Sequence, residues 1–176
     1  MKVKICGLST AEQVQTSIKY GADFCGFILN YPKSHRFIEF EKAKELIKIE
    51  KKNTKYVAVL VNPNENELEK FSKLNIDYFQ IYGNHNSESI SNIKSKFNKK
   101  IIVTIQVKNE KDILNYKEFE NIADIILWDS SGYEESLSWD YNWLKHISIN
   151  IEKMIAGNIS IDKIKYLVPK ELIMNQ

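Results

Sequence analysis

The feature that most constrains this chain is an unbroken alternation of short apolar runs with amphipathic segments of helical period. Val3 and Ile5 alternate with Lys2 and Lys4 and stop at Cys6-Gly7, which reads as a short strand. Further apolar runs occupy residues 23–29, 56–61, 77–81, 100–106, 123–128 and 151–156. Several are apolar almost throughout, as parallel strands covered on both faces must be. Between them the spacing predicts helices over about 10–20, 39–51, 65–74, 87–97, 110–119, 139–147 and 161–167. Ser9-Thr10-Ala11-Glu12 reads as a capping box opening the first helix, and Gly21 as its stop. Residues 82–86 and 130–137 read as loops, and an eighth strand is expected to begin near Leu172.

Strands recurring at the length of one βα unit, with no linker or low-complexity segment, predict a single α/β domain over residues 1–176. The expected fold is a (β/α)8 barrel, of the TIM-barrel class. The competing architecture is a doubly wound open sheet, which carries a glycine-rich first turn; the turn after the first strand holds no G-x-G-x-x-G. At 176 residues the chain is shorter than the roughly 200–250 of such barrels. The expectation is therefore a barrel incomplete at its C-terminal end, with seven βα units and the start of an eighth strand. An unclosed barrel would leave its first and seventh strands as edges.

Composition narrows the function classes. A formal net charge of +2 and scattered lysines argue against a nucleic acid partner. No apolar run reaches the roughly 18 residues of a membrane span, and the N-terminus enters a strand directly. Neither a membrane partner nor export is expected. Two cysteines, Cys6 and Cys25, suit a reduced, cytoplasmic setting. His35, His85 and His146 show no metal-ligand spacing, and no metal is expected. Of 25 basic residues only Arg36 is an arginine, which marks it as a place where a planar, bidentate guanidinium is needed.

In a barrel the carboxyl ends of the strands share one face, where the chemistry is done. Those ends are Cys6, residues 30–36, Asn62, residues 80–83, Gln106, Asp129 and Gly157-Asn158. A thiol, a carboxylate and an arginine therefore converge from three strands. Lys4, two residues before Cys6, points to the same side and would favour a thiolate. Asp129 follows an apolar run, where burial would suit it to donating a proton. Gly157-Asn158 before a short helix would present N–H groups to a phosphate. Taken singly, each has a plainer reading: Cys6 as apolar filler, Asp129 as a turn cap, Gly157-Asn158 as an ordinary loop.

Taken together, these residues resemble the phosphoribosylanthranilate isomerase family of tryptophan biosynthesis. The matching stretches are Lys4-Ile5-Cys6-Gly7-Leu8, Gly21-Ala22-Asp23, Gly26-Phe27, Tyr31-Pro32-Lys33-Ser34 with Arg36, Val61-Asn62-Pro63, Gln80-Ile81-Tyr82-Gly83, Asp129-Ser130, Trp139-Asp140 and Ala156-Gly157-Asn158. They run in the family's order along essentially the whole chain. The resemblance implies an Amadori rearrangement of N-(5′-phosphoribosyl)anthranilate on a (β/α)8 barrel without a cofactor. It implies Asp129 as general acid, Cys6 as general base and Arg36 as clamp for the anthranilate carboxylate. Lys4, Gln80, Gly157 and Asn158 join Arg36 as expected substrate-binding residues. Three departures stand out: Tyr82 where the family usually has His, Asn158 in place of a second glycine, and a last strand that ends at Met174-Asn175-Gln176.

Two rival readings remain at this stage. One is another phosphosugar-handling barrel enzyme; the other is a non-catalytic remnant of the same family. Either way the expected partner is a small phosphorylated molecule, and oligomeric state is open.

Overall fold

The computed structural model describes residues 2–130 and 138–160; the expected 161–167 helix, eighth strand and most of the 130–137 loop lie outside them. Seven strands form one sheet: β1 (Lys4–Cys6), β2 (Phe24–Ile28), β3 (Lys55–Val61), β4 (Tyr78–Tyr82), β5 (Lys100–Val107), β6 (Ile125–Ser130) and β7 (Glu152–Ile155). Every adjacent pair is parallel, and the spatial order is the sequence order, β1 through β7. A doubly wound sheet reverses its strand order at a switch point. This one never does, so the sheet is singly wound in the barrel manner.

The sheet also bends round on itself. Lys2, just before β1, pairs with Glu152, the first residue of β7, at 3.0 Å. Side chains from the two flanks meet in one inner cluster holding Phe24, Ile28, Val57, Val59, Tyr78, Ile102, Ile125 and Leu127. The alternate residues, among them Cys25, Phe27, Tyr56, Leu60, Phe79, Ile101 and Trp128, face outward under the helices in a second, larger core. Both sides of β2 to β6 are thus dry, which is why their sequences are apolar without alternation. Among the described residues β1 and β7 each pair on one side only.

Four α-helices cover the outside: α1 (Ala11–Lys19), α2 (Phe40–Leu46), α3 (Glu65–Ser72) and α4 (Ser87–Phe97). The cap of α1 differs from the expectation by one residue. Thr10 is the N-cap, and the reciprocal partner is Gln13, not Glu12. Gly21 does end the helix region, at φ +80°. α2 is shorter than the expected 39–51.

Where the sequence predicts a helix over 110–119, the chain forms a 3-10 helix, Glu110–Glu118. Its buried side chains Ile113, Tyr116 and Phe119 recur every three residues, the period of a 3-10 rather than an α turn. The segment expected as a helix over 139–147 contains a single 3-10 turn, Tyr141–Leu144.

The N-terminal end of the sheet repeats one device. An aspartate just before β2, β4 and β6 accepts a hydrogen bond from a backbone N–H in, or one residue before, the preceding strand. Asp23 takes Val3 N at 2.7 Å, Asp77 takes Tyr56 N at 2.8 Å, and Asp124 takes Ile101 N at 2.8 Å. Lys51 and Lys94 complete ion pairs with Asp77 and Asp124 at 2.7 and 3.0 Å. These bonds satisfy strand-end donors that would otherwise have no ladder partner.

Candidate active site

The opposite, C-terminal end of the sheet gathers the chemistry. Cys6 ends β1 and packs against the inner cluster, half-buried. Its neighbour in the ladder is Gly26 of β2. A Cβ on Gly26 would lie 2.9 Å from Lys4 Nζ and 3.0 Å from Cys6 Sγ. Glycine in mid-strand is therefore what lets the ammonium and the thiol occupy the same spot inside the barrel. Lys4 lies on the same side as Cys6, as strand periodicity requires, and makes no ion pair among the described residues.

Gly7 follows at φ +81°, and a Cβ there would fall 2.6 Å from Arg36 Cδ. The Arg36 side chain crosses this glycine, and its Nη1 donates to the Cys6 carbonyl at 3.4 Å. The lone arginine and the thiol are thus brought to one place from β1 and from the loop after β2. That loop is braced by Asn30, which accepts from Val61 N at 2.8 Å and donates to Val61 O at 3.0 Å.

Asp129 is the fifth residue of β6, not a residue beyond it, and pairs in register with Gln106 of β5. Both of its carboxylate oxygens are engaged. Oδ1 accepts from Ser130 N at 2.8 Å, and Oδ2 accepts from the Tyr82 hydroxyl at 2.6 Å. Tyr82, expected in a loop, is the last residue of β4 and points inward. Burial pushes its phenol well above the ordinary tyrosine range, with the negative charge of Asp129 and then of Cys6 adding to the effect. A hydrogen bond from Gln80 pulls the other way. Gln80 itself is 1% exposed, two residues below Tyr82 on the same strand, with Oε1 unpartnered.

The end of β7 is held from the side. Trp139 Nε1 donates to Ala156 O at 2.9 Å, the Tyr141 hydroxyl donates to Gly157 O, and Asn158 Nδ2 donates to Ser138 Oγ at 2.9 Å. Trp139 and Tyr141 stack edge to face at 4.8 Å. Burial, then the charge of Asp129, raises the Tyr141 phenol. Gly157 and Asn158 both have positive φ, +106° and +49°, which bends the chain sharply as it leaves the sheet.

Cys25, the other thiol, faces the helices, fully buried, and burial pushes it up to about 11. No group of three or more His, Cys, Asp or Glu able to hold a metal occurs among the described residues. No helix among them is long and apolar enough to cross a membrane.

Of the site residues expected from the sequence, Gln80 and Gly157 are buried, Cys6, Lys4 and Asp129 are half-buried, and Arg36 and Asn158 are exposed. Sequence reasoning placed Tyr82 at this face but missed its bond to Asp129, and it missed Tyr141 and the roles of the two glycines that admit neighbouring side chains. Gly26 carries a readable signal, since an isolated glycine inside a strand marks close approach. Tyr82 and Tyr141 carry none, because their roles depend on strands far apart in sequence.

A thiol, a carboxylate and an arginine stand at the C-terminal end of a singly wound parallel sheet, the end at which barrel enzymes carry their sites. The chain belongs to the N-(5′-phosphoribosyl)anthranilate (PRA) isomerase family, whose profile matches residues 3–174. It is 36% identical to the N-(5′-phosphoribosyl)anthranilate isomerase of Sulfurihydrogenibium sp. over 96% of this chain and 82% of that protein. The phosphoribosyl anthranilate isomerase structure from Thermotoga maritima superposes with a TM-score of 0.84 at 25% identity, covering 94% of this chain and 81% of that one. A further family structure matches at 30% identity and a TM-score of 0.67, over 74% of this chain and 65% of that one. It is a complex with reduced 1-(o-carboxyphenylamino)-1-deoxyribulose 5-phosphate.

Proposed function

We propose that this chain isomerises N-(5′-phosphoribosyl)anthranilate by general acid–base catalysis, with Asp129 as acid and Cys6 as base. The reading is carried by one observation: a family fold in which a thiol and an ammonium that share the space over Gly26 stand at the same sheet end as a doubly hydrogen-bonded carboxylate. Asp129 gives its proton to the ribose ring oxygen as the C1′–O bond breaks, and the anthranilate nitrogen forms a C1′=N iminium. Cys6, as thiolate beside Lys4, takes the C2′ proton. The C–H electrons form the C1′–C2′ double bond of an enolamine, which tautomerises to the ketone product. Atoms balance without a co-reactant.

The ligand of the related complex carries a carboxylate and a phosphate. Arg36 suits the carboxylate, because its fork pairs bidentately where lysine does not. The N–H groups around Gly157 and Asn158 suit the phosphate. Lys4 supplies positive charge beside the thiol; Gln80, expected to bind substrate, lies fully buried beneath Tyr82. The two unpaired thiols fit a reducing, cytoplasmic setting.

The test is turnover of the substrate by the intact chain, followed as loss of anthranilate-type fluorescence. Cys6→Ala and Asp129→Ala are each expected to lower kcat by about 100-fold or more. Arg36→Lys is expected to raise KM with a smaller effect on kcat. A folded chain that binds the product analogue without turnover supports the non-catalytic reading instead.

A further inference from the structure

A carboxylate that must deliver a proton to one particular oxygen has to be held in one plane. The terminal torsion of an aspartate is soft, with broad minima, so the side chain does not hold itself. Asp129 is held by two donors from different sources. Ser130 N–H is supplied by the backbone of β6 itself and engages Oδ1. The second donor comes across the barrel, from the Tyr82 hydroxyl on β4, at 2.6 Å from Oδ2. Tyr82 lies 47 residues away in sequence.

Gln80 lies fully buried one inward position below Tyr82 on β4, which places a side-chain amide under the phenol. Among the described residues, Cys6 from β1 acts on this phenol, and Tyr141 from the segment after β6 feels the charge of Asp129. Of the groups around Asp129, Tyr82 is the one whose hydroxyl reaches it at bonding distance across the barrel.

We propose that Tyr82 is a positioning residue, its hydroxyl fixing the orientation of the Asp129 carboxylate. The inference rests on Asp129 acting as the general acid. Tyr82 does not touch the reacting atoms in this scheme; it sets which Asp129 lone pair faces the ribose oxygen. Burial pushes the phenol well above the ordinary tyrosine range, which favours its role as a donor to Asp129. An imidazole at this position would change its donor count near neutrality.

The experiment compares the full chain with Tyr82→Phe, Tyr82→His and Asp129→Asn. Steady-state turnover is expected to show kcat about tenfold lower in Tyr82→Phe with KM within about twofold, since misorientation of a catalytic group lowers the rate without removing binding contacts. Tyr82→His, which keeps a donor, is expected to fall between the two. Proton NMR supplies a readout independent of turnover. A downfield O–H resonance from the phenol–carboxylate bond is expected in the parent, absent in Tyr82→Phe and displaced upfield in Asp129→Asn. Unchanged kcat in Tyr82→Phe, beside a severe loss in Asp129→Asn, overturns the proposal while leaving the acid in place. Persistence of the downfield resonance in Tyr82→Phe overturns it as well. Unchanged kcat in Asp129→Asn instead overturns the acid assignment on which the proposal stands.

Discussion

The two ends of the sheet use the same residue type in opposite ways. At the N-terminal end Asp23, Asp77 and Asp124 each accept a backbone N–H from the neighbouring strand, and two of them also pair with lysines. At the C-terminal end Asp129 accepts from its own strand's next N–H and from a phenol across the barrel. The first three tie strand to strand. The side chain of the fourth takes no N–H from a neighbouring strand and meets the inward-facing Tyr82 instead. In a barrel the bottom is where aspartate carries stability and the top is where it carries chemistry. The side chain is the same; its partners decide which.

That contrast is open to direct attack. The largest effect is expected at the top: Asp129→Asn lowers kcat by about 100-fold or more with little change in the urea unfolding midpoint. A midpoint that falls as far as the rate would make Asp129 another structural bracket.

The thiols carry the contrast from one face of the sheet to the other. Cys6 is half-exposed inside the barrel, whereas Cys25 is sealed under the helices. In the folded protein a thiol-specific reagent is expected to label Cys6 at least about tenfold faster than Cys25, because attack needs both exposure and thiolate. Equal rates, read by mass spectrometry of the labelled peptides, would place both on the same footing.

At the bottom the expected effects are thermodynamic. Asp77→Ala removes the Lys51 ion pair and leaves Tyr56 N–H without its acceptor, at a cost of about 1–3 kcal/mol in urea unfolding. Turnover per folded molecule is expected to stay within about twofold, which separates it from Asp129.

The smallest effect is a pH dependence. Burial raises the Cys25 thiol from 9.0 to about 11, so the folded state keeps its proton where the unfolded state has lost it. Stability from this group is complete below pH 9.0 and is lost as pH rises toward about 11. The unfolding midpoint is expected to decline across that window, and less steeply in Cys25→Ala. An identical slope in the variant would assign the decline to other groups, such as the buried Tyr56 phenol.

Much of this was legible before the fold. Residues 23–29 and 100–106 could only be buried strands, and the structure places β2 and β5 within them or one residue beyond. Lys4 and Cys6 had to share a side, because strand side chains alternate. Asp129 and Arg36 stood out by position and by rarity. The errors have physical causes. Residues 110–119 keep a spacing of three, which an approximate helical reading absorbs as an α-helix although it fits a 3-10 turn. The cap at Thr10 rather than Ser9 was decided by which side chain reaches the third N–H, a matter of ångströms. Tyr82 was taken as loop because its polar neighbours follow at once, yet ladder pairing with Val61 extends β4 through it.

By itself, then, the sequence determined the order of the elements and the burial of the strands, and it offered the candidate groups for moving protons. Local periodicity and side-chain chemistry are properties of neighbouring residues, and they survive without a fold. Only the tertiary structure decided which of those groups meet. The Tyr82–Asp129 bond joins β4 to β6, the shared space at Gly26 joins β1 to β2, and the Trp139 and Tyr141 bonds pin the end of β7. Such contacts arise because a singly wound sheet bends until strands distant in sequence face one another across its interior, and no local pattern records that distance.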